Sequence, residues 1–108
     1  MKPIINGTVI VTTDEARDKL VRAITPVAVT EITYRRMNGF TTVHVMDLPF
    51  DRERYLRTVL AEITPFTSYG TLTIYTNGAL FGYKYINGAW YEVACTLDFT
   101  EIEKLKAL

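Results

Sequence analysis

The chain has one histidine, His44 in VHVM, and one cysteine, Cys95 in VACTL. General acid–base or nucleophilic chemistry at either would need a positioned partner side chain. Neither has one nearby in sequence. His44 alternates with Phe40, Thr42 and Met46 along one strand face. VACTL supplies none of the cationic neighbours that activate a thiol. Both therefore read as structural, one a strand histidine and the other a small core residue, with a Cys–His pair across a sheet as the catalytic alternative. The carboxylates Asp47, Asp51 and Glu53 crowd DLPFDRE. Hard cations take several oxygen ligands, but helix capping by Asp51 and ordinary solvation account for this cluster. The chain carries no glycine-rich phosphate loop, no GxSxG and no HExxH. The expectation is a protein that is not an enzyme and uses neither metal nor cofactor.

Binding chemistry is better represented. Arg35 and Arg36 adjoin, and Arg52, Arg54 and Arg57 recur along a helical pattern. They suit a solvated surface, or an anionic or acidic partner. In TNGALFGYKYINGAWYEV, Phe81, Tyr83 and Tyr85 alternate on one strand face, Tyr75 precedes them, and Trp90 and Tyr91 follow on opposite faces of the next strand. A sheet needs only one covered face, and exposed Tyr and Trp beside Arg is the composition of an interface centre. The expected binding set is Tyr75, Phe81, Tyr83, Tyr85 and Trp90, with Arg35 and Arg36. Glu92 reads as a solvated strand residue.

Composition bounds the function classes. Twelve basic residues balance twelve acidic ones, which argues against a dedicated nucleic-acid binder, whose affinity rests on excess positive charge. One cysteine permits no internal disulfide. No run of eighteen apolar residues suggests a membrane span, and MKPIINGTVIV lacks the pattern of a signal peptide. A cytoplasmic protein is expected. With 108 residues, 48% of them apolar, a single domain over 1–108 is the natural unit.

The elements that must position these residues are marked by four Asn-Gly pairs, at 6–7, 38–39, 77–78 and 87–88. Asn-Gly favours the two-residue turn with positive φ at both positions. AVTEITYRR and FTTVHVMDL flank the second pair; GTLTIYT, ALFGYKYI and AWYEVACTL flank the last two and predict a three-strand meander. The pair at 6–7 is expected to lead into a first strand, GTVIVT. TTDEARDKLVRAI predicts a helix with a capping box from Thr12 to Glu15 and an apolar stripe of Ala16, Leu20, Ala23 and Ile24. DRERYLRTVLAEI predicts another, capped by Asp51, with the stripe Leu56, Val59, Leu60 and Ile63. Both run into Thr-Pro, where proline disfavours helix in the preceding residue. DFTEIEKLKAL predicts a short final helix from Phe99, Ile102, Leu105 and Leu108. The order β-α-β-β-α-β-β-β gives an α+β fold: a ferredoxin-like βαββαβ core, an antiparallel hairpin extension and a short C-terminal helix. Ile-Thr-Pro at 24–26 and 63–65, and Asn-Gly at 38–39 and 77–78, repeat at one offset of thirty-nine residues, as a duplicated βαβ unit would.

RNA-recognition modules share the βαββαβ order and stack bases on aromatics of their two central strands. The corresponding strands here, GTVIVT and TTVHVMDL, lack that aromatic-and-basic signature. The run YGTLTIYTNGALFGYKYINGAWYEV resembles the C-terminal meander of small accessory proteins of bacterial viruses, which also pair a Gly-then-strand opening with short turns and a late aromatic strand. That resemblance implies an accessory role, binding and blocking a host defence component. The residues themselves point to a non-catalytic protein–protein interaction module or inhibitor, acting as a homodimer. The alternatives are a small-molecule or nucleotide-sequestering domain with its pocket at a dimer seam, and a small enzyme using His44 with a carboxylate.

Overall fold

A computed structural model describes residues 3–25 and 32–95, and 101–107 as backbone. The elements are β1 (Ile4–Val11), α1 (Asp14–Ile24), β2 (Ile32–Met37), β3 (Phe40–Pro49), α2 (Glu53–Ile63), β4 (Thr67–Thr76), β5 (Ala79–Ile86), β6 (Ala89–Cys95) and β7 (Glu101–Ala107), with a 3-10 turn at Thr64–Phe66. The strands form one open antiparallel sheet in the order β2-β3-β1-β4-β5-β6-β7. β3 lies between β1 and β2, and β1 between β3 and β4, so the two β-α-β units interleave. Because the sheet continues through three further strands beyond β4, the α+β architecture is not strictly ferredoxin-like.

Both helices form on the apolar stripes that their sequences predict: Ala16, Leu20, Ala23 and Ile24 on α1, and Leu56, Val59, Leu60 and Ile63 on α2 are all buried. Their caps differ from expectation. Thr13, not Thr12, caps α1, its hydroxyl accepting from the Ala16 N–H at 3.1 Å. Thr12 instead donates its backbone N–H to the Phe66 carbonyl at 2.8 Å, tying the start of α1 to the turn after α2. Asp51 does not cap α2. Arg52 holds that position with no side-chain bond to the helix, and its guanidinium donates to the Arg22 carbonyl at 2.6 Å while lying 4.8 Å from the Tyr55 ring centre. Pro65 lies within the 3-10 turn, where the Thr64 and Thr67 hydroxyls donate to the Leu60 and Ile63 carbonyls, each at 2.8 Å. The chain thus tightens before it leaves the helix, and carbonyls at the helix end are satisfied.

The turns at 38–39, 77–78 and 87–88 have positive φ at both residues, as the Asn-Gly pairs predict. The first and second follow β2 and β4, the strands that succeed each helix, in keeping with the thirty-nine-residue offset. The pair at 6–7 is not a lead-in. It lies inside β1, opposite a bulge in β3 where Met46 and Asp47 together face Asn6. Asp47 adopts φ 49°, and its N–H donates to Asn6 Oδ1 at 2.8 Å, so the Asn side chain repairs the interrupted ladder. Gly7 is required by the neighbouring strand: a Cβ there would stand 2.0 Å from the Thr71 carbonyl oxygen.

The C-terminal helix is also corrected. Residues 101–107 pair with β6 as β7; Phe99 and Leu108 lie outside the described residues. β6 presents an unpaired row of backbone groups, and a weakly helical segment that follows it gains more from completing that ladder than from an isolated short helix. Among the described residues no helix is long and apolar enough to cross a membrane.

Candidate functional site: the uncovered sheet face

Register decides which side of the sheet each predicted binding residue occupies. Leu72 and Ile74 of β4 belong to the core, and they stand opposite Tyr83 and Phe81 of β5. Tyr83 and Tyr85 in turn face Glu92 and Trp90 of β6. The alternating rings are therefore on the helix-covered side. Tyr83 is 0% and Trp90 2% exposed, and Phe81 and Tyr85 are partly buried against the same core. The expectation that this ring set forms a free face is overturned.

Packing explains why the rings turn inward. α2 reaches this end of the sheet through polar contacts: the Tyr83 hydroxyl donates to Glu53 at 3.1 Å, and Arg57 pairs with Glu92 at 3.1 Å. Glu92 is thus a paired residue, not a solvated one. The rings fill the remaining space, with Tyr85 edge-on to Trp90 at 5.9 Å and Phe81 edge-on to Tyr83 at 6.4 Å. Trp90 occupies the place of the side chain that Gly70 lacks; a Cβ there would come within 2.1 Å of the indole. The indole Nε1 finds no acceptor among the described residues. Burial, reinforced by Glu53, raises the Tyr83 pKa well above its usual value.

The arginines separate. Arg36 projects toward α1, where it pairs with Asp14, and Arg17 lies 5.3 Å from the Tyr34 ring centre. The Arg36 guanidinium beside Asp14 holds that carboxyl below the usual range. Arg35 faces the other side of the sheet, in register with Thr42, which the core-facing Val43 follows in β3. Of the seven predicted binding residues, the uncovered face keeps Tyr75 and Arg35.

That face has an organisation of its own. One row crosses four strands as Arg35, Thr42, Ile10 and Tyr69. The next crosses six as Thr33, His44, Thr8, Thr71, Lys84 and Tyr91. Within it His44 Nδ1 and Thr8 Oγ1 are 2.8 Å apart, so the histidine is engaged with a hydroxyl. The Cys95 side chain lies outside the described residues. Glu53 serves Tyr83, and among the described residues no three His, Cys, Asp or Glu side chains gather as a metal site would require. Five large apolar side chains of this face, Met37, Phe40, Met46, Tyr69 and Tyr75, are between 36% and 55% exposed, whereas Leu80, opposite Tyr75, is buried. Near the β2–β3 turn Met37 and Phe40 border an open hollow of about 530 Å³ that Ile10, Arg35, Asn38, Thr42 and Ser68 also line.

Sequence reasoning did not single out Met37, Phe40, Met46 or Tyr69 as binding residues, although their signal was present. In β3, Val43 and Val45 are the obvious core pair, which sends Phe40, Thr42, His44 and Met46 outward. In β4, Gly70, Leu72 and Ile74 go inward and send Tyr69, Thr71, Thr73 and Tyr75 outward. The larger rings of β5 drew the prediction away.

Comparison of the chain with protein-family models, curated proteins and solved structures finds no match.

Proposed function

We propose that this protein is a non-catalytic binding module that engages a protein partner through the uncovered face of its sheet, centred on Ile10, Phe40, Tyr69 and Arg35. The observation that carries this reading is that Met37, Phe40 and Tyr69 are exposed together at one end of the sheet face that neither α1 nor α2 covers. Scattered exposed apolar residues need no explanation, but Met37, Phe40 and Tyr69, gathered about Ile10 at one end of this face and bounded by the Thr33-to-Thr71 row, suit an interaction surface. The polar content, a Thr-rich ladder with one histidine, supplies hydrogen-bonding groups without a catalytic constellation. We further infer that the βαββαβ portion is a ferredoxin-like core, which the aromatic strands extend at the β4 edge. An inhibitor or accessory role toward a host defence component is the biological setting that the resemblance of the meander suggests.

The reading is tested with matched charge substitutions. Phe40→Glu and Tyr69→Glu should abolish retention of a co-purifying protein partner, while Tyr55→Glu, equally exposed on α2, should leave it intact. Equal loss in all three, or in none, overturns the proposal. Light scattering on the isolated chain shows whether that partner is a second copy.

A further inference from the structure

The partner's chemistry follows from the edge of the sheet beside this face. β2 is a terminal strand of the sheet, and from Thr33 to Met37 every residue is exposed. The two-residue turn Asn38-Gly39 makes Met37 and Phe40 the first mutually hydrogen-bonded pair of the hairpin. By alternation, Thr33 and Arg35 also bond to β3, and Tyr34 and Arg36 direct their N–H and C=O groups away from it. Among the described residues no strand pairs with those groups, which leaves a ladder of the kind that an added strand completes.

Charge and shape narrow what that strand carries. β2 holds Arg35 and Arg36 and no carboxylate. Arg36 is already paired with Asp14, but Arg35 pairs with no carboxylate among the described residues. It stands on the wall of the hollow, beside Ile10, Met37 and Phe40. A strand laid along β2 would place alternate side chains on this same side of the sheet. One of them would lie beside the Arg35 guanidinium and the next beside Met37. A second copy is disfavoured in the registers centred on the arginine pair. Antiparallel pairing of two β2 strands about a two-fold centred on Arg35 or on Arg36 sets like charges directly opposite.

Building on the binding reading above, we propose that β2 captures an extended acidic segment of the partner by strand addition, with a carboxylate on Arg35 and a neighbouring apolar side chain in the hollow bounded by Ile10, Met37 and Phe40. The experiment is fluorescence anisotropy with a labelled short peptide of the repeat Glu-Thr-Val-Thr, which sets Glu and Val in turn on one strand face, its counterpart with Lys for Glu, and a version of the first N-methylated at alternate amides. The Glu peptide should bind at least about tenfold tighter than the Lys peptide, as one charge-assisted contact supplies. Arg35→Glu should reverse that order, and N-methylation should abolish binding. Equal affinity for the two peptides, no reversal in Arg35→Glu, or full binding by the N-methylated peptide each overturns strand addition. A chain that self-associates through β2, losing its dimer in Arg35→Glu, also overturns it. If the peptides fail while Phe40→Glu and Tyr69→Glu still release the co-purified partner, the acidic-strand inference falls and the uncovered-face reading stands. If those two variants retain the partner, the uncovered-face reading falls.

Discussion

Tyr83 and Trp90 show how single side chains settle the role of the aromatic strands. The Tyr83 ring is enclosed, and its hydroxyl donates to Glu53. Burial first, and then the Glu53 carboxylate, hold its pKa above the ordinary 10.0. Below about pH 10 the phenol is protonated in folded and unfolded chains alike, and its contribution to stability is complete. Above that the unfolded phenol ionises while the folded one keeps its proton, so stability falls as pH rises toward the raised folded value. Tyr83→Phe should cost about 1 kcal/mol at neutral pH by losing the hydrogen bond, and should lose less stability than the parent chain above about pH 10. Urea unfolding at both pH values measures the two slopes; equal slopes would place the hydroxyl in water. Trp90 is argued differently, because its Nε1 has no acceptor among the described residues. Trp90→Phe removes that unpaired donor along with some volume, so it should destabilise less than Trp90→Ala, which should cost about 3–5 kcal/mol. A Trp90→Phe cost equal to that of Trp90→Ala in the same unfolding experiment would show that the ring of Phe does not fill the place over Gly70.

At the scale of elements, the sequence states the local rules and leaves the non-local ones open. Three hairpins were legible because Asn-Gly pairs and strict alternation agree, and both helices because their stripes are continuous. Cap positions were less legible: Thr12 and Thr13 are adjacent candidates, and only the packing of Thr12 against the Phe66 carbonyl assigns the cap to Thr13. Thr13→Ala should therefore cost about 1 kcal/mol, whereas Asp51→Ala, with no capping bond to lose, should stay within about 0.5 kcal/mol of the parent. Thermal unfolding of the two variants side by side distinguishes the caps. The last element was misread because the spacing of Ile102 and Leu105 suits a helix while the open edge of β6 selects a strand, a decision that no local window contains. The side to which Phe81, Tyr83 and Tyr85 point was hidden for the same reason. Alternation puts them together, but only the packing of α1 and α2 chooses their side.

The whole molecule divides its two sheet faces between stability and contact. Its radius of gyration, 13.0 Å, matches the value of about 13 Å expected of one domain of this length. Seven strands are more sheet than two eleven-residue helices can cover. On the covered side Trp90, Tyr85, Tyr83 and Phe81 extend the core beyond the helices. On the other side Phe40 and Tyr69 are left about half exposed, where they contribute little to folding. Replacing them should therefore separate folding from binding. Phe40→Ser and Tyr69→Ser, each expected within about 0.5 kcal/mol of the parent, should together lower the melting temperature by no more than about 4–8 °C. They should nonetheless release the partner. Trp90→Ser, one ring on the opposite face, should unfold the chain or bring it close to unfolding, since about 3–5 kcal/mol is a large fraction of a small domain's stability. Scanning calorimetry of the double variant and of Trp90→Ser makes the comparison. A double variant that melts as early as Trp90→Ser would mean that Phe40 and Tyr69 serve the fold, and the uncovered face would lose its claim to a separate purpose.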